Sequence, residues 1–192
     1  MKSKNVFNLL LNPFTRIAGW QSFGLGLAFI VLMGFIGASS DVSFDGVLDM
    51  HMMKDLSLLN SFLYLAIDLV CLVVVMWIAG LTLSKGFRFV DILGTMTLAK
   101  APLLILAIAG LFTTVPDLSQ LLKNPDVIFQ SVSFLVLIIL SIPVMIWSVV
   151  LMYHALKVSC GVTGNKLTIV FIIALIVSEI VSKVLIIEFV RP

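Results

Sequence analysis

Five long apolar runs alternate with short polar stretches along the chain, near residues 19–37, 58–83, 90–112, 131–156 and 167–187. Each is close to or above the roughly 20 helical residues that cross a hydrocarbon core of about 30 Å. Barrel strands cross in about ten residues and alternate their side chains, which these runs do not do. A backbone surrounded by lipid must satisfy its own N–H and C=O groups, so the runs predict helices. The expected fold is all-α: a polytopic integral membrane bundle of five transmembrane helices, forming one domain over residues 1–192. Ahead of the first run, NVFNLLLNPFTRI is apolar enough to lie in the headgroup layer, and Pro13 marks a break before the span. It predicts a short interfacial N-terminal segment.

Composition agrees with this pattern. The chain of 192 residues is 61% hydrophobic and 11% charged, with a mean hydropathy of +1.22, well above the roughly half-apolar balance of soluble domains. A basic start followed by an apolar run also fits a cleavable signal, but about forty residues exceeds the usual roughly 15 to 30, so the first run is read as a retained span. Cys71 and Cys160 are too few for a disulfide framework and read as free thiols.

Charge gives the orientation. Lys2, Lys4 and Arg16, then Lys85 and Arg88, then Lys157 and Lys166 occupy alternate polar stretches. The intervening ones hold Asp41, Asp45, Asp49 and Asp55 against Lys54, and Asp117 and Asp126 against Lys123. Basic loops stay on the cytoplasmic side. The expected location is the cell (inner) membrane, multi-pass, with the N-terminus cytoplasmic and the C-terminus outside.

Four ionisable residues fall within the runs. Asp68 lies ten residues into the second, about 15 Å deep at 1.5 Å per residue, and Lys100 lies at a similar depth in the third. Spans joined by a short loop are neighbours, so Asp68 and Lys100 form the first candidate pair. Glu179 and Lys183 are four apart on the last span and share a face. A charge at membrane depth costs about 2.5 to 3.5 kcal/mol on insertion scales, so each needs a partner. Three readings stay open: register-fixing ion pairs, a translocation path in which Asp68 or Glu179 takes up a proton or cation beside Lys100, and a Lys100 that snorkels to the inner headgroups. Pro102 and Pro143 remove backbone donors and predict kinks in the third and fourth spans, the first beside Lys100.

Catalytic and cofactor motifs are lacking. No nucleophile elbow, phosphate loop, HExxH helix or paired catalytic carboxylate occurs, so no enzyme activity and no cofactor are expected. Basic residues are too dispersed for nucleic acid. Neither His51 nor His154 has a second ligand at metal spacing. In DMHMMKD the methionines around His51 could suit Cu(I), but the segment reads first as an apolar loop resting on the membrane. The expected partners are the lipid bilayer and other membrane proteins or a second copy of the chain.

Five spans, the NPFTRI approach to the first, GFRFVDIL from Gly86 to Leu93 ahead of Ala101-Pro102, and Trp147 followed by YHALKVSCGVTGNKL resemble the Yip family, named for Ypt/Rab-interacting proteins. In eukaryotic members the resemblance implies cytoplasmic N-termini, binding to prenylated Rab GTPases and roles in vesicle traffic. This chain has eighteen residues before Gly19 and no DLYGP-like motif, so it is more similar to short bacterial-type members. The resemblance implies a fold and supplies no catalytic residues. The expected function is a non-enzymatic membrane-organising or partner-binding protein; the alternative is a small transporter or ion-coupled permease using Asp68, Lys100 and Glu179.

Overall fold

A computed structural model describes residues 6–114 and 131–190; Lys2, Lys4, Asp117, Lys123 and Asp126 lie outside them. Helix α1 (Val6–Leu11) and a 3-10 turn (Pro13–Thr15) precede α2 (Gly19–Ser39). A two-stranded hairpin, β1 (Val42–Ser43) and β2 (His51–Met52), leads to α3 (Leu58–Leu83). After it come α4 (Phe89–Ala99), a 3-10 turn (Ala101–Leu103), α5 (Leu104–Gly110), α6 (Val132–Cys160) and α7 (Asn165–Phe189). Five helical segments are long and apolar enough to cross a membrane: α2, α3, Phe89–Gly110, α6 and α7. Helix α6 runs four residues past the expected boundary at 156, because Lys157 adds a charge without ending the helix, and Gly161 in the left-handed region then caps it.

The segment Phe89–Gly110 is the central column. Within its most apolar stretch 67% of residues are buried, against 22% for α6. Sequence explains the difference. Helix α4 carries small and hydroxylated residues, Gly94, Thr95, Thr97 and Ala99, all buried. Such residues let backbones approach closely where lipid gives no hydrophobic drive between helices. Opposite them Gly26 of α2 is indispensable, because a Cβ there would lie 2.6 Å from the backbone nitrogen of Leu98. The hydroxyls of Thr95 and Thr97 donate to carbonyls of their own helix, Asp91 and Leu93, at 2.6 Å each. Outward, α6 and α7 present Val136, Ile139, Ile142, Ile146, Ile172 and Ile176, a lipid-facing surface.

The two prolines behave differently. At Pro102 the column breaks: α4 stops at Ala99, and Leu103 donates to Lys100 O at 3.0 Å instead of one residue further back. That leaves the Ala99 carbonyl free, and the Ser148 hydroxyl of α6 donates to it at 2.8 Å. At Pro143, by contrast, α6 continues without interruption.

The loop between α2 and α3 folds against protein. Val42 pairs with Met52 and Ser43 with His51 in an antiparallel hairpin. Val42, Phe44 and Val47 are buried, and Met50 and Met52 pack on the cluster that contains Leu65, Leu103 and Leu106. The methionine-rich segment therefore rests on the bundle, where the sequence pointed to the membrane surface.

Candidate functional site

Lys100 stands at the break in the central column, and its side chain turns inward toward α3. Its Nζ lies 3.7 Å from Asp68 Oδ2, and both side chains are 0% exposed. At that separation the pair is an ionic contact without a hydrogen bond, and neither Nζ nor the two carboxylate oxygens has a hydrogen-bond partner among the described residues. The other charged groups acting on Asp68 are Glu179 and Asp45. The Ser182 hydroxyl is also near it but donates to Glu179 O at 3.1 Å. A lysine enclosed on the central helix cannot snorkel, so its charge is balanced within the protein.

A second cluster closes the acidic end. Glu179 Oε2 accepts from the Leu48 N–H at 2.8 Å, and its Oε1 lies 3.5 Å from Lys183 Nζ. Lys183 also donates to Asp49, whose Oδ1 accepts from the Met50 N–H at 2.9 Å. His51 Nδ1 approaches Asp45 at 2.7 Å and Asp49 at 3.8 Å. Partial burial opposes ionisation of Asp49, but the Lys183 hydrogen bond and the His51 charge outweigh it and hold the carboxyl below its ordinary 3.8. Gly46 lets the loop close on α7, since a Cβ there would meet the Glu179 carboxylate and sit 2.8 Å from Asp49 Cβ.

At the basic end, Trp147 Nε1 donates to Leu10 O at 2.9 Å and ties α1 to α6. Lys166 donates to Thr82 O at 3.1 Å, joining the start of α7 to the end of α3. Arg88 and Asp91 form an exposed pair with contacts of 3.0 and 3.1 Å, which sustains the raised Arg88 pKa through the Asp91 hydrogen bond and charge. Cys71 and Cys160 are free and buried.

The Yip1 domain matches residues 7–185. The chain belongs to that family. No curated protein and no solved structure matches it. Within this Yip1 domain the residues named from sequence fall in two places. Asp68 and Lys100 meet at the column's break, and Glu179 and Lys183 meet at the acidic end. The sequence missed Asp45, Asp49, His51 and the Leu48 amide as their partners, and Ser148 as the group that takes the freed carbonyl. The one available signal was the apolar Val47-Leu48 inside an otherwise acidic loop. Among the described residues no group of three or more His, Cys, Asp or Glu could hold a metal ion.

Proposed function

We propose that this Yip1-domain protein is a non-enzymatic, membrane-embedded organising component of the inner membrane, which binds other membrane proteins through its basic, cytoplasmic end. The enclosure of Asp68 and Lys100, 3.7 Å apart and 0% exposed, is the observation that carries this reading. Two opposite charges that neutralise each other inside a packed bundle fix helix register and offer no route to a diffusing ion. The acidic-end cluster supports the same reading, because its charges hold a loop onto α7. Exposed Arg88 and Lys85 with Lys157 and Lys166 leave the basic end as the charged surface open to partners.

The ion-coupled permease reading rests on the same pair, whose charged atoms lack hydrogen bonds among the described residues. Proteoliposomes loaded with a pH-sensitive dye separate the two. The expected result is no proton flux above that of empty vesicles. Flux that Asp68→Asn abolishes would overturn the organising role in favour of transport.

A further inference from the structure

Between α1 and the basic end of α6 lies a pocket of about 350 Å³, lined by Asn8, Leu9, Leu11, Asn12, Thr15 and His154. Two lining residues, Asn12 and His154, each have a buried polar atom without a hydrogen-bond partner among the described residues, Oδ1 and Nδ1 respectively. Buried polar atoms are paired as a rule, and an unpaired one costs about 1 to 3 kcal/mol. Both residues line the same pocket, so a small side-chain rotation would bring the two groups onto a ligand held there.

The chemistry of the wall narrows the ligand. Two side-chain amides, a hydroxyl and an imidazole can all donate, the amide of Asn12 by turning end for end. Among the described residues no carboxylate lines the pocket. Lys157, one turn along α6, acts electrostatically on His154, and exposed Arg16 follows Thr15. Several donors with cations next to them in the chain, and no acid among the described lining residues, suit a phosphate group. The setting narrows it further. The pocket lies at the end of the bundle that carries the basic loops, and Leu9 and Leu11 give it an apolar side. Its wall is fixed by the Trp147 to Leu10 hydrogen bond at 2.9 Å and by buried Phe14.

We propose that this pocket binds the phosphate of an anionic phospholipid headgroup, with Asn8, Asn12, Thr15 and His154 donating to its oxygens and the leucines facing its glycerol backbone. The site is independent of whether the basic end also binds a protein. A free phosphate would use the same donors, so the test separates the two sources.

Full-length protein is placed in nanodiscs of equal parts phosphatidylcholine and phosphatidylglycerol, and the lipids it retains on release are counted by native mass spectrometry. The wild type is expected to retain phosphatidylglycerol over phosphatidylcholine by about fivefold or more, a difference near 1 kcal/mol. Asn12→Asp, which aims a carboxylate at the phosphate, and His154→Ala should bring that ratio close to one. His154→Gln keeps a donor and should preserve it, as should Asn60→Asp at the far end of α3. Equal retention of the two lipids by the wild type, or an unchanged preference in Asn12→Asp, overturns the site. Stabilisation by inorganic phosphate in pure phosphatidylcholine discs, matching that from phosphatidylglycerol, overturns the lipid assignment in favour of a soluble source.

Discussion

Glu179 of the last helix accepts a hydrogen bond at 2.8 Å from the Leu48 N–H of the first loop, across 131 positions of sequence. One carboxylate thus caps a loop amide and, through its other oxygen, faces Lys183, which reaches back to Asp49 of the same loop. The acidic end is a latch between a loop and a helix that are distant in sequence.

Removing the cation should open the latch. Lys183→Met keeps most of the side-chain volume but leaves Asp49 and Glu179 facing each other unneutralised. Val47, 0% exposed beneath the loop, reports on this when replaced by cysteine. A maleimide should label Val47→Cys slowly in the wild-type background and several times faster beside Lys183→Met, while buried Cys71 and Cys160 add little. Equal labelling would mean that the apolar side chains hold the loop without the ion pair.

The latch should also respond to acid, in one direction. The Asp49 pKa is lowered in the folded protein, so its contribution to stability is present above the ordinary 3.8 and is lost as the pH falls through the lower folded value. Pepsin, active in that window, should leave the loop intact at about pH 4.5 and cut it as the pH drops below 3.8. Asp49→Asn should be cut at both. A wild-type loop already cut at the higher pH would assign the closure to other groups.

How far these features were legible depends on the range over which they act. Spans follow from local composition, so the five helices could be read from hydropathy alone. Asp68 and Lys100 stand out because a charge at membrane depth is costly, and chain-adjacent helices limit where its partner can be. Glu179 carries the same signal, but its loop partner Asp49 does not, since an aspartate in an acidic loop is unremarkable until the loop folds back on α7. The prolines teach the same lesson. Pro102 and Pro143 are chemically alike, but at the first the chain shifts to 3-10 bonding and Ser148 takes the Ala99 carbonyl that this frees, 49 positions away. No local pattern shows where that hydroxyl will lie.

Close approach at Gly46 gives a sharper stability prediction. Adding one methyl there forces the Glu179 carboxylate and Asp49 apart, and overpacking of this kind costs about 1 to 3 kcal/mol. Gly86→Ala is the matched control, because nothing lies within 4 Å of a Cβ at that position. Thermal unfolding in detergent should show a lower Tm for Gly46→Ala and little change for Gly86→Ala. Equal shifts would place the effect in backbone propensity instead of the contact with α7.

The buried pair itself is best tested by a double-mutant cycle. Removing one partner of an enclosed ion pair leaves the other charge unbalanced, at a cost of about 3 to 5 kcal/mol, whereas replacing both by apolar residues of similar size is often close to neutral. Lys100→Met and Asp68→Leu should therefore each lower Tm and yield, and the double variant should recover most of both. Membrane proteins weaken such couplings because the unfolded chain in lipid also finds partners, so the coupling is read in yield as well as in Tm. Strictly additive losses would show that the two groups, 3.7 Å apart, do not depend on each other, and register would then rest on the glycine and threonine contacts of the central column.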